Sequence, residues 1–497
     1  DACGNGVMTK PSQTDVVIVG SGFSGLTAAI TAVGHGASVI VVEKMERAGG
    51  NSRVSGGNCS IPHSDPESVA GFTSYLQKLC FGTTPPELVA DFVQGTLEIK
   101  DWIKSLGGEL HVPKKLILAN TYPGTRKGPG FPAVPGGKAT FAKYCLKGPD
   151  DVAPSERLFR LLESAALERG CEFRLGTRLI DLLFGDDGEV RGVVVETAEG
   201  TQEILARSVI MACGGFENNR SEKLEHLEPI PVRFVGNPGN TGDGHRILRS
   251  HGVDLWHMGR TSCIPGFQSD DFEAAFGIFM PDWGYIYCDR HGRRFLNEMG
   301  LELHETYRHL SEFDPHAAEF PRVPAWVILD QATLNRGPLT WDTAGYNRDQ
   351  YTWSQDNQAE LAKGWIVRAD SVEELGTVID ADPEVLRATL AEYNEGALTD
   401  SDKFGRPQKL MRPLEFPLYA VRVESSLLNT QGGPRRDSVG AVSRIEGGTV
   451  PGLYAVGEFG SIWGYLYQGA CNISECIVSG RKTGRVAAER ATECQAP

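Results

Sequence analysis

Asp15-Val-Val-Ile-Val-Gly20-Ser-Gly-Phe-Ser-Gly25-Leu-Thr-Ala-Ala-Ile30 is the stretch on which the fold turns. Its β-branched, wholly apolar opening reads as a strand buried on both faces, as in a parallel sheet. That strand runs directly into Gly20-x-Gly22-x-x-Gly25 and then into an Ala-rich stretch with helical character, residues 26–33. Ala37-Ser-Val-Ile-Val-Val42 is a second buried strand, and Glu43 ends it. In such a unit the first glycine makes the turn, the second lets backbone meet a pyrophosphate, and the third lets helix and strand pack closely. The helix N-terminus offers free N–H groups to phosphates, and an acid at the end of the second strand accepts both ribose hydroxyls. Strand, turn, helix and acid in register predict a dinucleotide site.

Outward from this unit, residues 1–12 read as a flexible tail. Residues 67–106 carry helical periodicity, and 111–137, rich in Pro and Gly, read as loops. A helix over 156–169 precedes short strands over 171–206, and Val209–Ala212 is another buried strand. Between 279 and 428 Trp, Tyr, Pro and charge increase; after Pro451 the glycine-rich texture returns. This order predicts an α/β fold: a Rossmann-like domain, 13–278 and 429–497, interrupted by an inserted α+β capping domain, 279–428. The 497 residues carry a net charge of −15 with no long basic run, which argues against nucleic acid and anionic membrane as partners. No apolar run approaches the ~18–20 residues of a membrane span. The 11 cysteines are scattered and form no C-x-x-C, so neither a metal cluster nor a disulfide framework is expected. Reduced thiols point to the cytoplasm.

Gly49-Gly-Asn-Ser-Arg-Val-Ser-Gly-Gly57 brings a second run of small residues close behind Glu43. Together with Met211-Ala-Cys-Gly-Gly-Phe216, Thr241-Gly-Asp-Gly244, Pro451-Gly-Leu-Tyr-Ala-Val-Gly-Glu458 and Gly480-Arg-Lys-Thr-Gly484, it resembles the flavoprotein superfamily of fumarate reductases and succinate dehydrogenases. The resemblance covers most of the chain and implies an FAD-binding domain. FAD would lie along Gly20, Gly22, Phe23, Ser24 and Gly25, with Glu43 and Lys44 at the adenosine ribose. Gly50, Asn51, Ser52, Ser55, Gly56 and Gly57 would line its path, with Leu179, Ala212, Cys213, Gly214 and Asp243. Glu458 is expected near the ribityl chain, and the backbone at Asn472 and Ile473 at the pyrimidine edge, where a helix N-terminus stabilises negative charge. Covalent members carry a His in the small-residue segment. None lies between Gly49 and Ser60, so FAD is expected to be held noncovalently; His63 reads as a loop histidine.

The superfamily adds or removes two hydrogens across a C–C bond next to a carbonyl or similar group. The resemblance to fumarate reductases fails at three places. After Gly292-Arg-Arg-Phe-Leu-Asn-Glu298 stands Leu301 where they place a proton-relay Arg. Asn429 replaces a substrate-binding His, and Tyr467 a carboxylate-clamping Arg. A phenol cannot reproduce the bidentate grip of a guanidinium, which argues against a dicarboxylate substrate. Tyr467 instead resembles the 3-ketosteroid dehydrogenases, where a Tyr and a backbone N–H four residues on, here that of Cys471, polarise a ketone. Ser55-Gly-Gly-Asn-Cys-Ser-Ile-Pro62 resembles the same group. Those enzymes place a Tyr base where this chain has Glu302; His304 and Tyr307 are alternatives, and Tyr122 stands near an accessory Tyr. Glu302 alternatively reads as a solvated charge on an amphipathic helix, Glu298 as a structural partner of Arg293 or Arg294, and Trp326, Trp341, Trp353 and Trp365 as core. The expected reaction is α,β-dehydrogenation of a cyclic, steroid-like ketone, or the reverse enone reduction. One alternative is an enoate reductase with its carboxylate site relocated to Arg336 or Arg126; another is a non-catalytic electron-transfer subunit. With a single dinucleotide fingerprint, a separate electron acceptor or donor is expected.

Overall fold

The computed structural model describes residues 12–113, 128–228, 232–300, 302–340 and 344–493. Its central sheet has six strands. Four of them, Thr449–Ala455, Ser208–Met211, Val16–Val19 and Val39–Val42, run parallel side by side, with Glu172–Arg174 parallel at one edge. Ala441–Ser443 closes the other edge antiparallel. Val16–Val19, Val39–Val42 and Ser208–Met211 are buried at every position, as their unbroken apolar runs require. Residues 441–455 therefore return to the sheet that residues 16–42 begin, the interrupted Rossmann-like order expected of this α/β chain.

The helix Phe23–Gly34 packs against the last helix, Cys471–Glu493. The contact is backbone on backbone. A Cβ on Gly480 would lie 2.7 Å from the Ser24 carbonyl, and one on Gly484 2.5 Å from that of Ala28. The spacing Gly480-x-x-x-Gly484 puts both on one helical face. A four-stranded sheet (Ser12–Gln13, Gly200–Leu205, Val190–Thr197, Arg178–Phe184) and a three-stranded one (Asn58–Pro62, Phe141–Leu146, Leu110–His111) flank the central sheet's segments. Ser12 thus belongs to a strand; the rest of the expected tail lies outside the described residues.

A second large sheet has seven strands. Its path runs Phe276–Gly277, Thr261–Phe267, Leu418–Thr430, Ala325–Asp330, Tyr285–Cys288, and Arg233–Phe234 and Val367–Ala369 pair with the long strand Leu418–Thr430. It draws on Thr261–Phe267, upstream of residue 279, because that strand pairs antiparallel with Leu418–Thr430. Trp353 and Trp365 are buried in the core behind this sheet, and Trp326 packs on a neighbouring apolar cluster; Trp341 lies outside the described residues. Nine cysteines, all that the described residues contain, are unpaired. No helix among the described residues is long and apolar enough to cross a membrane.

Glu298 is fully buried beneath this sheet. It takes Arg294 at 2.7–2.8 Å, Arg406 at 3.1 Å and the Tyr287 N–H at 3.2 Å. Arg406, also buried, donates further to the carbonyls of Trp283, Tyr285 and Leu410. Glu298 is thus structural, as one reading of the sequence held, with Arg406 an added partner. Arg406→Met should leave this carboxylate under-neutralised and destabilise the protein by about 3–5 kcal/mol, read as a lower urea midpoint.

Candidate active site

The glycine turn is built as its sequence requires. Gly20 has φ +108°, and a Cβ there would lie 2.3 Å from the Ala212 carbonyl. A Cβ on Gly25 would lie 2.1 Å from the Gly20 carbonyl, so Gly25 serves helix–strand packing and does not line the cleft. Gly22 precedes the helix Phe23–Gly34 as its N-cap without a side-chain cap of its own. The Ser52 hydroxyl, at the short helix Gly50–Arg53, accepts the Phe23 N–H at 2.9 Å instead. The Phe23 side chain is buried in the core.

Along this turn runs a cleft of two lobes, about 860 and 1160 Å³, joined where Asn51, Ser52, Glu458 and Cys476 line both. The first lobe is lined by Gly20, Gly22, Ser24, Glu43, Lys44 and Gly50, with Leu179, Ala212, Cys213, Gly214 and Asp243 opposite. Glu43 accepts the Ser21 N–H and hydroxyl at 3.1 and 2.6 Å and the Met45 N–H at 3.0 Å. Its oxygens are thereby oriented, with lone pairs left for a ligand. Lys44 donates to Thr241 at 2.6 Å and pairs with Asp243 at 3.1 Å. Burial opposes the Asp243 charge, but the Arg178 hydrogen bonds and Lys44 outweigh it and hold its pKa at about 2.

At the junction, Glu458 faces Glu217, a residue that sequence reading missed. Both carboxyls are buried, and burial raises the pKa of each. Two carboxyls in contact do not both ionise, so the pair holds a proton. Glu217 also takes the Thr430 N–H at 3.1 Å and Asn51 at 3.3 Å. Glu217 stands in Gly214-Gly-Phe-Glu217, beside the quoted glycine motif, but its partner is more than two hundred residues away and no local signal marks it.

The second lobe is lined by Ser55, Gly56, Gly57, Asn429, Tyr467, Asn472 and Ile473, with Lys143, Leu303 and His304. Tyr467 is buried, and burial pushes its phenol well above the ordinary range, so the hydroxyl stays protonated. It accepts the Asn472 N–H at 3.2 Å, at the N-terminus of the last helix. The donor expected beside Tyr467 at a substrate's ketone was the N–H of Cys471. That group instead donates to the Gln468 carbonyl at 3.1 Å, and Cys471 does not line the lobe; the amide that meets the Tyr467 hydroxyl is one residue further on. Ala470, just before this helix, holds φ +72°, a conformation that a non-glycine residue adopts at a cost.

Glu302 is neither on a helix nor solvated: the nearest helix begins at Tyr307, and Glu302 is 4% exposed. It does not line the cleft. Its carboxylate turns back on His304, accepting the backbone N–H at 2.6 Å and Nδ1 at 2.9 and 3.0 Å. A carboxylate that only accepts fixes the proton on Nδ1, leaving Nε2 as the acceptor nitrogen. His304 lines the lobe and meets the Tyr467 ring edge-on at 5.1 Å. One turn on, Glu305 accepts the Tyr467 N–H at 3.1 Å and Arg308 at 2.5 Å, and Arg308 donates to the Tyr465 carbonyl at 3.0 Å. Tyr307 lies away from the lobe, beside Thr261 and Cys263. Arg336 is exposed and lines neither lobe, which removes it as a relocated carboxylate site. Tyr122, Arg126 and Leu301 lie outside the described residues, and His63 is an exposed loop residue.

Lys143 was also missed. It is buried on the strand Phe141–Leu146, whose alternation puts Phe141, Lys143 and Cys145 on one face. A lysine in step with Phe and Cys was the available signal.

The cleft fits FAD. Asn472 Oδ1 lines its second lobe and is buried without a protein hydrogen bond. Such groups are rarely left unpaired, and a ligand with ribose, ribityl and ring polar atoms supplies their partners. The profile of the FAD binding domain family matches residues 15–473. The 4-oxocyclohex-2-ene-1-carboxylate 5-dehydrogenase of Sinomonas cyclohexanicum is 28% identical, with 97% of this chain and 95% of that protein covered. The fumarate reductase (cytochrome) of Shewanella frigidimarina is 27% identical, with 97% and 78% covered. The 3-ketosteroid Δ1-dehydrogenase of Sterolibacterium denitrificans has the same fold, with a TM-score of 0.82 at 23% identity, covering 96% of this chain and 99% of that one. With a profile match from the first core strand to the first turn of the last helix, the chain belongs to the FAD binding domain family and is an FAD-dependent oxidoreductase.

Proposed function

We propose that the enzyme dehydrogenates a cyclic ketone at its α,β carbons, or reduces the corresponding enone. The observation that carries this is the Tyr467 hydroxyl, protonated by burial and set beside the N-terminus of the last helix, in a lobe shared with His304. A phenol donates to a ketone oxygen, and the bond strengthens as enolate charge develops. Polarisation acidifies the α-carbon, and His304 Nε2, its tautomer set by Glu302, takes the proton. Glu302 thus acts as a positioning residue, in place of the base read from the sequence. FAD, when bound, accepts the β-hydride. Relatives that act on 4-oxocyclohexene- and 4-oxocyclohexanecarboxylate support a cyclic ketone. Gly22, Glu43 and Glu458, which line the cleft, would hold FAD noncovalently. A separate acceptor or donor exchanges electrons with it, in a compartment that keeps the unpaired cysteines reduced.

Tyr467→Phe should lower kcat about 10²–10³-fold, the range for one lost oxyanion donor, with flavin content unchanged. Rapid mixing with cyclic ketones and enones under anaerobic conditions reads this as the rate of flavin bleaching or recovery. A fully active Tyr467→Phe enzyme would sink the ketone assignment.

His304→Asn should slow the same half-reaction about 10²–10⁴-fold. Glu302→Gln should slow it less, since the imidazole remains but its tautomer is no longer fixed. If Glu302→Gln is the more damaging of the two, the base is Glu302 after all.

Acid precipitation should release yellow FAD into the supernatant. Colour that stays with the precipitated chain would show a covalent bond.

A further inference from the structure

We propose that Gln468 is a positioning residue: through Gly130 and Gly469 it closes the Glu302–His304 pair between two glycines and so keeps the imidazole proton on Nδ1. Gln468 follows Tyr467 in the chain but does not line the lobe; its side chain is fully buried. A buried amide is costly unless its polar atoms are paired. Here Oε1 accepts the Tyr75 hydroxyl at 2.7 Å and the Gly130 N–H at 2.9 Å, and Nε2 donates to the Gly469 carbonyl at 3.1 Å.

The network has one sense. A backbone N–H can only donate, so the atom that meets Gly130 is the amide oxygen. Tyr75, on the helix Pro66–Leu79, accepts the Phe131 N–H at 3.2 Å and gives its own proton to Gln468. Burial pushes that phenol well above its ordinary range, so the proton stays in place. One amide oxygen therefore holds residues 130 and 131, directly and through Tyr75.

The two glycines flank the pair that sets the imidazole. A Cβ on Gly130 would strike the Glu302 side chain, and one on Gly469 would lie 2.9 Å from His304 Cε1 and 3.3 Å from Glu302 Oε1. This close cover leaves the Glu302 oxygens to the His304 N–H and Nδ1. Gly130 and Gly469 are far apart in the chain, and Gln468 bonds to both. Without its amide, Gly130 loses an acceptor, water reaches Glu302, and both neutral tautomers become accessible to His304. The catalytic consequence alone rests on the reading above, in which His304 Nε2 takes the α-proton.

NMR of the FAD-loaded enzyme with isotopically labelled histidine nitrogens reads the tautomer directly; His304 is identified by the signals that His304→Asn lacks. The wild type should carry the proton on Nδ1. Gln468→Met keeps an unbranched side chain and removes both bonds of Oε1. It should shift the His304 nitrogens toward a mixture of tautomers and leave the other histidines in place. It should lower kcat with cyclic ketones or enones roughly 10- to 100-fold, as loss of positioning does, with KM little changed. In the His304→Asn background it should add no further loss. Tyr75→Phe removes one of the Gln468 bonds and the acceptor of Phe131; it should shift the same signals less, and it decides if Gln468→Met does not fold. The proposal is overturned if the wild-type proton lies on Nε2, if the folded variant keeps the wild-type His304 signals, or if Gln468→Met slows His304→Asn as much as it slows the wild type. Shifted signals in an enzyme that turns over no cyclic ketone or enone would retain the clamp and discard the ketone reading. Unshifted signals beside an inactive His304→Asn enzyme would do the reverse.

Discussion

The two ends of this enzyme's chemistry are locked together by helices that touch at their backbones. The helix that opens at the glycine turn and the helix that opens beside Tyr467 approach so closely that Gly480 and Gly484 have room for no side chain. One helix opens from the glycine turn that lines the first lobe, and the other presents its N-terminal amide to the Tyr467 hydroxyl. Because they pack against each other, the glycine turn and the Tyr467 hydroxyl are held in one frame, and the proposed dinucleotide and ketone would be positioned by the same contact. The parallel sheet supplies the platform, and the glycines set the distance.

What was legible in the sequence was what local backbone geometry dictates. Gly20 needs a positive φ, Gly25 sits where a Cβ strikes a carbonyl, and Glu43 ends a strand. Each is set by neighbours within one β–α–β unit, so spacing suffices to find it. Tyr467 was legible by resemblance, as the residue standing where a related enzyme needs an arginine. The direction in which Glu302 turns was not legible. A Cβ on Gly130 would strike Glu302 and one on Gly469 would strike His304, so the space for this turn is left by glycines distant along the chain. The Glu217–Glu458 pair was hidden for the same reason: each carboxyl takes its meaning from a partner distant along the chain.

The residues of the second lobe divide the labour in a way that burial explains. Tyr467 is kept protonated by desolvation, so its hydroxyl has a hydrogen to donate while it accepts the Asn472 N–H. His304 has Nδ1 engaged by the Glu302 carboxylate, which leaves Nε2 outside that bond. Burial raises the pKa of both Glu217 and Glu458 at the junction, which disfavours two negative charges there.

Glu305 joins these parts in another sense. It is three residues from Glu302, on the same segment as His304, yet it accepts the main-chain N–H of Tyr467, while Arg308 grips the carbonyl of Tyr465. Base and hydrogen-bond donor therefore come from separate stretches of chain that are stitched backbone to side chain. If the 302–308 segment moves aside to admit a ligand, the loop bearing the phenol loses its tether in the same motion. Displacing either stretch would therefore disturb the other, because the tether runs through the main chain of the loop that bears the phenol.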